Sequence, residues 1–512
     1  MMRVTVAERL GLSALIGRRA FRSLLARVAT HPLLRWRYGS GKTDRLLIAA
    51  QDLRTADATR ASEIYAGRFA FAGKVVICDR RSPFEMTPPS DEWAVMLLSF
   101  QWLRHLRAAD SAITRANARA LIDDWISIQG KWHPLGWRND LLARRMIDEL
   151  RAQILPDGGH ISRNPGTLIE ILADLLPLRQ LFSARNLQPP QAINNAIDRM
   201  MPMLRFFRHA DGNFAQFNGM GPTPVDLLAT VLAYDDARGS PLSNAPHSGY
   251  QRMEAAQTAL IIDSGRPPPV AVSQEAHAGC LSFELSWKQH RLVVNCGLPA
   301  VNRETWRQVA RATSAHSTVT VHEQSSCLFL EAAPFRRLLG GVPILAGPRD
   351  VRTERDEHDG AVMLRASHDG YAADCGIVHT RALRLSADGR ALDGEDSFSA
   401  AGHGEIPGND DYAVRFHLHP AIKASRLSDG RGVILLLPDK EVWTFATMAD
   451  AVQLEESVYL SSTEGPRRTV QIVVYGHAST TSAVRWSFRH TPPATPGARP
   501  EKLDEPELPL GK

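Results

Sequence analysis

Several common signatures are missing from this 512-residue chain, and each absence excludes something. No apolar run approaches the roughly 18 residues that a membrane-crossing helix requires. Cysteine is scarce: Cys78, Cys280, Cys296, Cys327 and Cys375 are odd in number, widely spaced and form no Cys-x-x-Cys pair. Neither a zinc ribbon nor a disulfide framework is therefore indicated, and Cys280 and Cys296, in predicted strands, read as small core residues. No Gly-x-Ser-x-Gly elbow, His-Glu-x-x-His helix or Gly-x-Gly-x-x-Gly at the head of a βαβ unit occurs. Gly41-Lys42-Thr43 resembles the end of a phosphate loop but lacks its upstream glycine and preceding strand. Dense basic blocks are also absent. Lys and Arg total 60 against 55 acidic residues, a formal charge of +5, which fits a polyanionic partner without demanding one. With no helix-turn-helix, zinc-finger or aromatic RNA-binding pattern, no nucleic-acid partner is expected.

What is present is an ordinary globular composition, 44% hydrophobic and 22% charged, long enough for roughly two to four domains. Residues 1–80 read as a basic N-terminal helix followed by a mixed segment. Arg3, Arg9, Arg18, Arg19, Arg22 and Arg27 alternate with apolar residues there, and the apolar stretch Leu10–Ile16 is short and lacks a clean cleavage site. This pattern suits a helix that packs on the body or touches a membrane surface. Residues 81–262 show helical periodicity throughout, with stripes such as Trp93, Met96, Leu97, Phe100, Leu103 and Leu106, broken by turn clusters at regular spacing. Paired helices in that rhythm predict a stacked or toroidal α/α array, here an incomplete α/α toroid. A proline run at 267–269 follows, and then period two replaces 3.6: Phe283, Leu285 and Trp287 alternate with polar residues, and further short strands recur across 263–490. The expectation is a multi-domain protein, α then β, ending in an antiparallel β-sandwich. The Pro-rich stretch 491–512 cannot bury a core and is expected to be a disordered tail.

The chain is organised around Gly158-Gly159-His160-Ile161-Ser162-Arg163-Asn164-Pro165. Asn164 as N-cap and Pro165 at the first helical position start a buried helix, which leaves His160 and Arg163 at its mouth beside backbone N–H groups. That arrangement suits a carboxylate or sulfate, and it equally describes a capped helix with two solvated side chains. Trp137, Arg138 and Asn139 offer stacking and charge for a sugar, or form an ordinary helix start. Asn218, in the turn-rich loop 209–219, can hydrogen-bond a sugar or serve the turn. His316, preceded by Arg311, is a candidate acid/base or a strand-edge histidine with a satisfied bond. Tyr371, beside His368, Asp369 and Gly370 and before His379 and Arg381, is a phenol acid/base if cationic neighbours lower its pKa.

These motifs meet in one resemblance. Gly158-Gly159-His160-x-x-Arg163-x-Pro165, Ala276-His277-Ala278-x-x-Leu281-Ser282-Phe283-Glu284-Leu285, Ala315-His316-Ser317-Thr318-Val319 and His368-Asp369-Gly370-Tyr371 occur in the order found in heparinase II/III-like polysaccharide lyases. The chain resembles a divergent member of that family over roughly residues 60–490. The resemblance implies β-elimination on a uronic-acid polysaccharide such as a glycosaminoglycan. A partner quenches the carboxylate charge, a base takes the adjacent proton, and an acid protonates the leaving oxygen. On that basis His160, Arg163 and Asn164 would handle the carboxylate, with His316 and Tyr371 as acid/base candidates. Trp137, Arg138, Asn139, Asn218 and Arg311 would bind substrate. A divalent metal such as zinc would rest on His277, Asn295 and His316. The resemblance implies the cell envelope or periplasm, whereas the N-terminus, without a clear signal peptide, suits the cytoplasm. Glu275, Gly279, Asn295 and Thr167 stand where many relatives carry His, Asp, Asp and Tyr, so the alternative is a non-catalytic binder of acidic glycans that kept the cleft.

Overall fold

The computed structural model describes residues 6–29, 53–79, 81–98, 100, 102–129, 150–234, 239–299, 304–330, 341–402, 404–406 and 408–491. Trp137, Arg138, Asn139, the Gly41–Thr43 stretch and all but the first residue of the expected tail lie outside them.

The helical part opens with α1 (Val6–Ala29), whose Leu10 and Phe21 side chains are exposed. Helices α2 (Ala58–Tyr65), α3 (Asp91–Leu98), α4 (Leu103–Ala108) and α5 (Ala112–Gln129) pack with a small hairpin, Arg68–Phe71 against Lys74–Ile77. The stripe from Trp93 to Leu106 is divided between two helices, because Phe100 takes a positive φ of 56° that an α-helix cannot carry.

Helix α6 (Pro165–Ala184) begins as its sequence requires: Asn164 is extended, its side chain accepts from Gly166 N–H, and Pro165 fills the first turn. Its apolar positions Leu168, Leu172, Leu175 and Leu176 pack with Met200, Met203, Leu204 and Phe207 of α7 (Gln191–Phe207) and with Leu228 and Val231 of α8 (Val225–Leu232). The same core takes in Tyr250 and Ile261, which belong to a strand pair.

That strand pair corrects the reading of 81–262 as helical throughout. Asn244–Ala245, Tyr250–Ala255 and Thr258–Asp263 are antiparallel strands on the nine-stranded sheet. Residues 256–257 turn between the longer two, with Ala256 left-handed at φ 49°. The run Leu260-Ile261-Ile262 reads as helix or strand by periodicity alone, and pairing with Phe283–Trp287 decides for strand.

A second, eight-stranded sheet runs from Val351–His358 at one edge to Lys423–Arg426 at the other. Both sheets are antiparallel, and they pack face to face over one core. Phe283 of one sheet stacks on Trp486 of the other, with ring centroids 5.8 Å apart. Gly394 is required there, because a Cβ would lie 2.2 Å from the Trp486 ring. Inside this core Arg381 forks onto Asp396 at 2.7 and 2.9 Å and also donates to Leu281 O and Ser317 O. A guanidinium from the second sheet thereby ties the backbone at Ser317, next to His316, to that at Leu281. The C-terminal part of the chain is thus β-rich, as the strand pattern predicts.

Candidate functional site

The site begins with backbone geometry. Gly158 has φ +89°, and a Cβ there would strike Arg199 O at 1.9 Å, so the loop before α6 lies directly on α7. A short bridge between Ile154 and His160 then fixes the imidazole. Ser162 N–H donates to His160 Nδ1 at 3.1 Å, and the Ser162 hydroxyl lies 2.7 Å from the same nitrogen. The proton therefore belongs on Nε2, which meets Gln153 Oε1 at 3.2 Å. Burial holds His160 down at about 4, so the ring is neutral near pH 7.

Arg163, at φ 62°, turns away from the helix mouth into the protein. Its five N–H donors are all used: Nε on Ser248 O at 2.7 Å, one terminal nitrogen on Gly265 O and Arg266 O, and the other on Gly249 O and Asp263 Oδ1 at 3.0 and 2.5 Å. The guanidinium also lies over the Tyr250 ring, 4.6 Å from its centroid. Asp263 Oδ2 accepts from Asn218 Nδ2 at 2.9 Å, Tyr250 donates its hydroxyl to Arg163 O, and Asn218 Oδ1 accepts from His277 N–H at 3.2 Å. Arg163 and Asn218 are thus joined in one buried network that binds the helical part to the first sheet.

Above this network is a cavity of about 250 Å³. His160, Ser162, Asn164, Thr167 and Asn218 line it from the helical side, and residues 271, 272 and 274–276 line it from the segment after the prolines. Arg311 shapes that second wall from beneath: its guanidinium donates to Ser273 O, Ala276 O and Val342 O at 3.0, 2.7 and 2.6 Å. Glu275 is half exposed and ion-paired with Arg307 of α9 (Glu304–Arg311).

The remaining candidates lie elsewhere. His316 is 1% exposed and absent from the cavity lining; its Nδ1 faces Ala312 O at 2.8 Å and its Nε2 meets His277 Nδ1 at 2.9 Å. Burial, rather than neighbouring Arg311, lowers it to about 4. Tyr371 is 1% exposed in the core between the sheets and donates to Val319 O at 2.7 Å. Burial raises its phenol, the opposite of the shift that an acid/base role near pH 7 needs.

The metal set implied by the resemblance does not fit these residues. Both ring nitrogens of His316 are engaged, Nδ1 with Ala312 O and Nε2 with His277 Nδ1, so it has none to give an ion. Asn295 Oδ1 accepts from Ser317 N–H at 2.9 Å, and its Nδ2 is a donor that cannot ligate a cation. Among the described residues no group of three His, Cys, Asp or Glu could hold an ion. The His277 Nε2 and Asn295 Nδ2 atoms are buried without a hydrogen-bond partner.

Sequence patterns did not single out Asp263 and Tyr250, although an acid closing the run Leu260-Ile261-Ile262 is the kind of residue that must find a buried partner. Ser162 and Gln274 also escaped, since nothing in a linear pattern brings them together.

Comparison with known proteins agrees with this architecture. Residues 237–487 match the family described as Heparinase II/III-like, C-terminal. FtsZ-localized protein C of Caulobacter vibrioides (strain NA1000 / CB15N) is 28% identical over 531 residues, covering 86% of this chain and 90% of that protein. Among solved structures, heparinase III has a TM-score of 0.63 at 13% identity, covering 97% of this chain and 94% of its own. A mutant of heparan sulfate lyase HepC from Pedobacter heparinus has 0.58 at 12% identity, covering 89% and 86%. At such identities these two show a shared fold alone.

Proposed function

This chain is a heparinase II/III-like family member with a polysaccharide lyase-like fold, and from that premise we propose that it binds glycan in the cleft without performing elimination. The helical part is read as an incomplete α/α toroid, and the packed sheets as the antiparallel β-sandwich of that fold. By likeness to its FtsZ-localized relative, the protein works where FtsZ assembles.

The observation that carries this reading is that the acid/base candidates and the guanidinium that elimination would need are committed elsewhere. The His160 Nδ1 lone pair is turned onto Ser162, every Arg163 donor is used, and His316 and Tyr371 lie off the cavity. Thr167 cannot replace a phenol as base. A second reading, β-elimination on a uronic-acid polysaccharide, draws on His160, Asn164 and Asn218 sharing one cavity. In that reading His160, Arg163 and Asn164 neutralise the carboxylate, and His316 or Tyr371 moves protons after rearrangement.

Incubation with a panel of uronic-acid polymers separates the two. Elimination creates a C4–C5 double bond that absorbs in the ultraviolet. The expected outcome is no rise above a boiled control; a sustained rise that is lost in His160→Ala refutes the non-catalytic reading. A fluorescent fusion in the native host is expected to gather at FtsZ assemblies, and an even distribution would remove the proposed location.

A further inference from the structure

Among the described residues no Lys or Arg lines the cavity, His160 is neutral near pH 7, and the charged residue of the described lining is Glu275, a carboxylate. Three polar groups there remain available. Asn164 Oδ1 caps α6, and its Nδ2 meets no acceptor among the described residues. Thr167 lines the cavity, and its hydroxyl has no partner among the described residues. Arg307 donates to Glu275 Oε1, and no described residue donates to Oε2. Donor, donor-acceptor and acceptor together complement the hydroxyls of a sugar.

The spacing agrees. Asn164 Nδ2 and Glu275 Cβ are each 3.1 Å from the point where a Cβ on Gly219 would sit, so they are no farther apart than twice that distance. Gly219, at φ +95°, keeps the passage between the two walls clear. Ala271, Val272 and Ala276 supply an apolar wall suited to the C–H face of a ring. A volume of about 250 Å³ lies below the span of drug-sized pockets and admits about one ring.

We infer that this cavity takes a single uncharged sugar ring of a glycan, and that the Glu275–Arg307 pair at its edge rejects carboxylated sugars. The inference rests on the glycan-binding reading and narrows it. A uronate entering here would bring its carboxylate beside Glu275. Arg163, the buried guanidinium joined through Asp263 to Asn218 of the lining, has no donor left to offer, and an unpaired charge taken out of water opposes binding. Glu275 thus occupies Arg307 much as a uronate carboxylate would.

The test is titration calorimetry of the full chain with an N-acetylglucosamine tetramer and an oligogalacturonate tetramer at one ionic strength. The neutral tetramer is expected to bind, with the galacturonate weaker by about tenfold or more. Thr167→Trp fills the cavity and should abolish neutral binding, which locates the site. Glu275→Gln removes the carboxylate partner of Arg307 and should narrow or reverse the preference; Glu275 is half exposed, so the variant is expected to fold. Tighter galacturonate binding to the unmodified chain overturns the charge selection and leaves glycan binding standing. An unchanged preference in Glu275→Gln overturns the role of that pair. Binding of neither tetramer overturns the glycan reading and this inference together.

Discussion

Substituting Asp263 by Asn removes one charge from a buried ion pair that joins the helical part to the first sheet. The Arg163 and Asp263 side chains are 7% and 3% exposed, with 2.5 Å between Arg163 NH2 and Asp263 Oδ1. Arg163 cannot shed its proton, so the variant leaves a guanidinium buried among carbonyls. Removing one partner of a buried pair costs about 3–5 kcal/mol. Four carbonyl oxygens still accept from Arg163, and an amide can replace part of the Asn218 contact, so the lower end, about 3 kcal/mol, is expected. Urea unfolding followed by far-ultraviolet circular dichroism and tryptophan fluorescence measures the loss. The surface pair Arg352–Asp350 is the control, and Asp350→Asn should leave the unfolding midpoint in place. If Asp263→Asn unfolds within about 0.5 kcal/mol of the unmodified chain, the range of an ordinary surface change, the network does not join the two parts as argued.

Acid should weaken the fold before carboxylates titrate. His160 and His316 are held at about 4 by burial, against 6.5 for a free imidazole, so between those values the unfolded chain binds protons that the folded chain refuses. Stability from these groups is complete above about 6.5 and falls with pH by about 1.4 kcal/mol per unit for each until about 4. Unfolding midpoints measured from pH 8 to 4 should show the decline, with a shallower slope in His316→Gln; a flat profile from 7 to 5 would contradict it. Helix α1 exposes Leu10 and Phe21 three turns apart on one side, alongside Arg9 and Arg18. Sedimentation with anionic phosphatidylglycerol vesicles should carry the protein down, and Leu10→Glu with Phe21→Glu should release it. Equal sedimentation of the double variant would exclude α1 as the contact.

Local chemistry was legible wherever neighbours in sequence are neighbours in space. The Asn164–Pro165 start of α6 and the alternating strand Phe283–Trp287 follow from capping and period two. The ordered motifs from Gly158 to Tyr371 also carried the family, because they preserve backbone positions such as Gly158 that only glycine can occupy. Linear patterns could not separate helix from strand in Leu260-Ile261-Ile262, since a run apolar on both faces suits either until a partner strand pairs with it.

Side-chain roles were decided by folding. In sequence Arg163 and His316 look like exposed reactive groups. In the structure one is spent on four carbonyls and Asp263, and the other is sealed against His277. Which polar group remains open to a ligand depends on which contacts have already used its donors and lone pairs. Those contacts come from residues up to a hundred positions away, so only the assembled structure can set them.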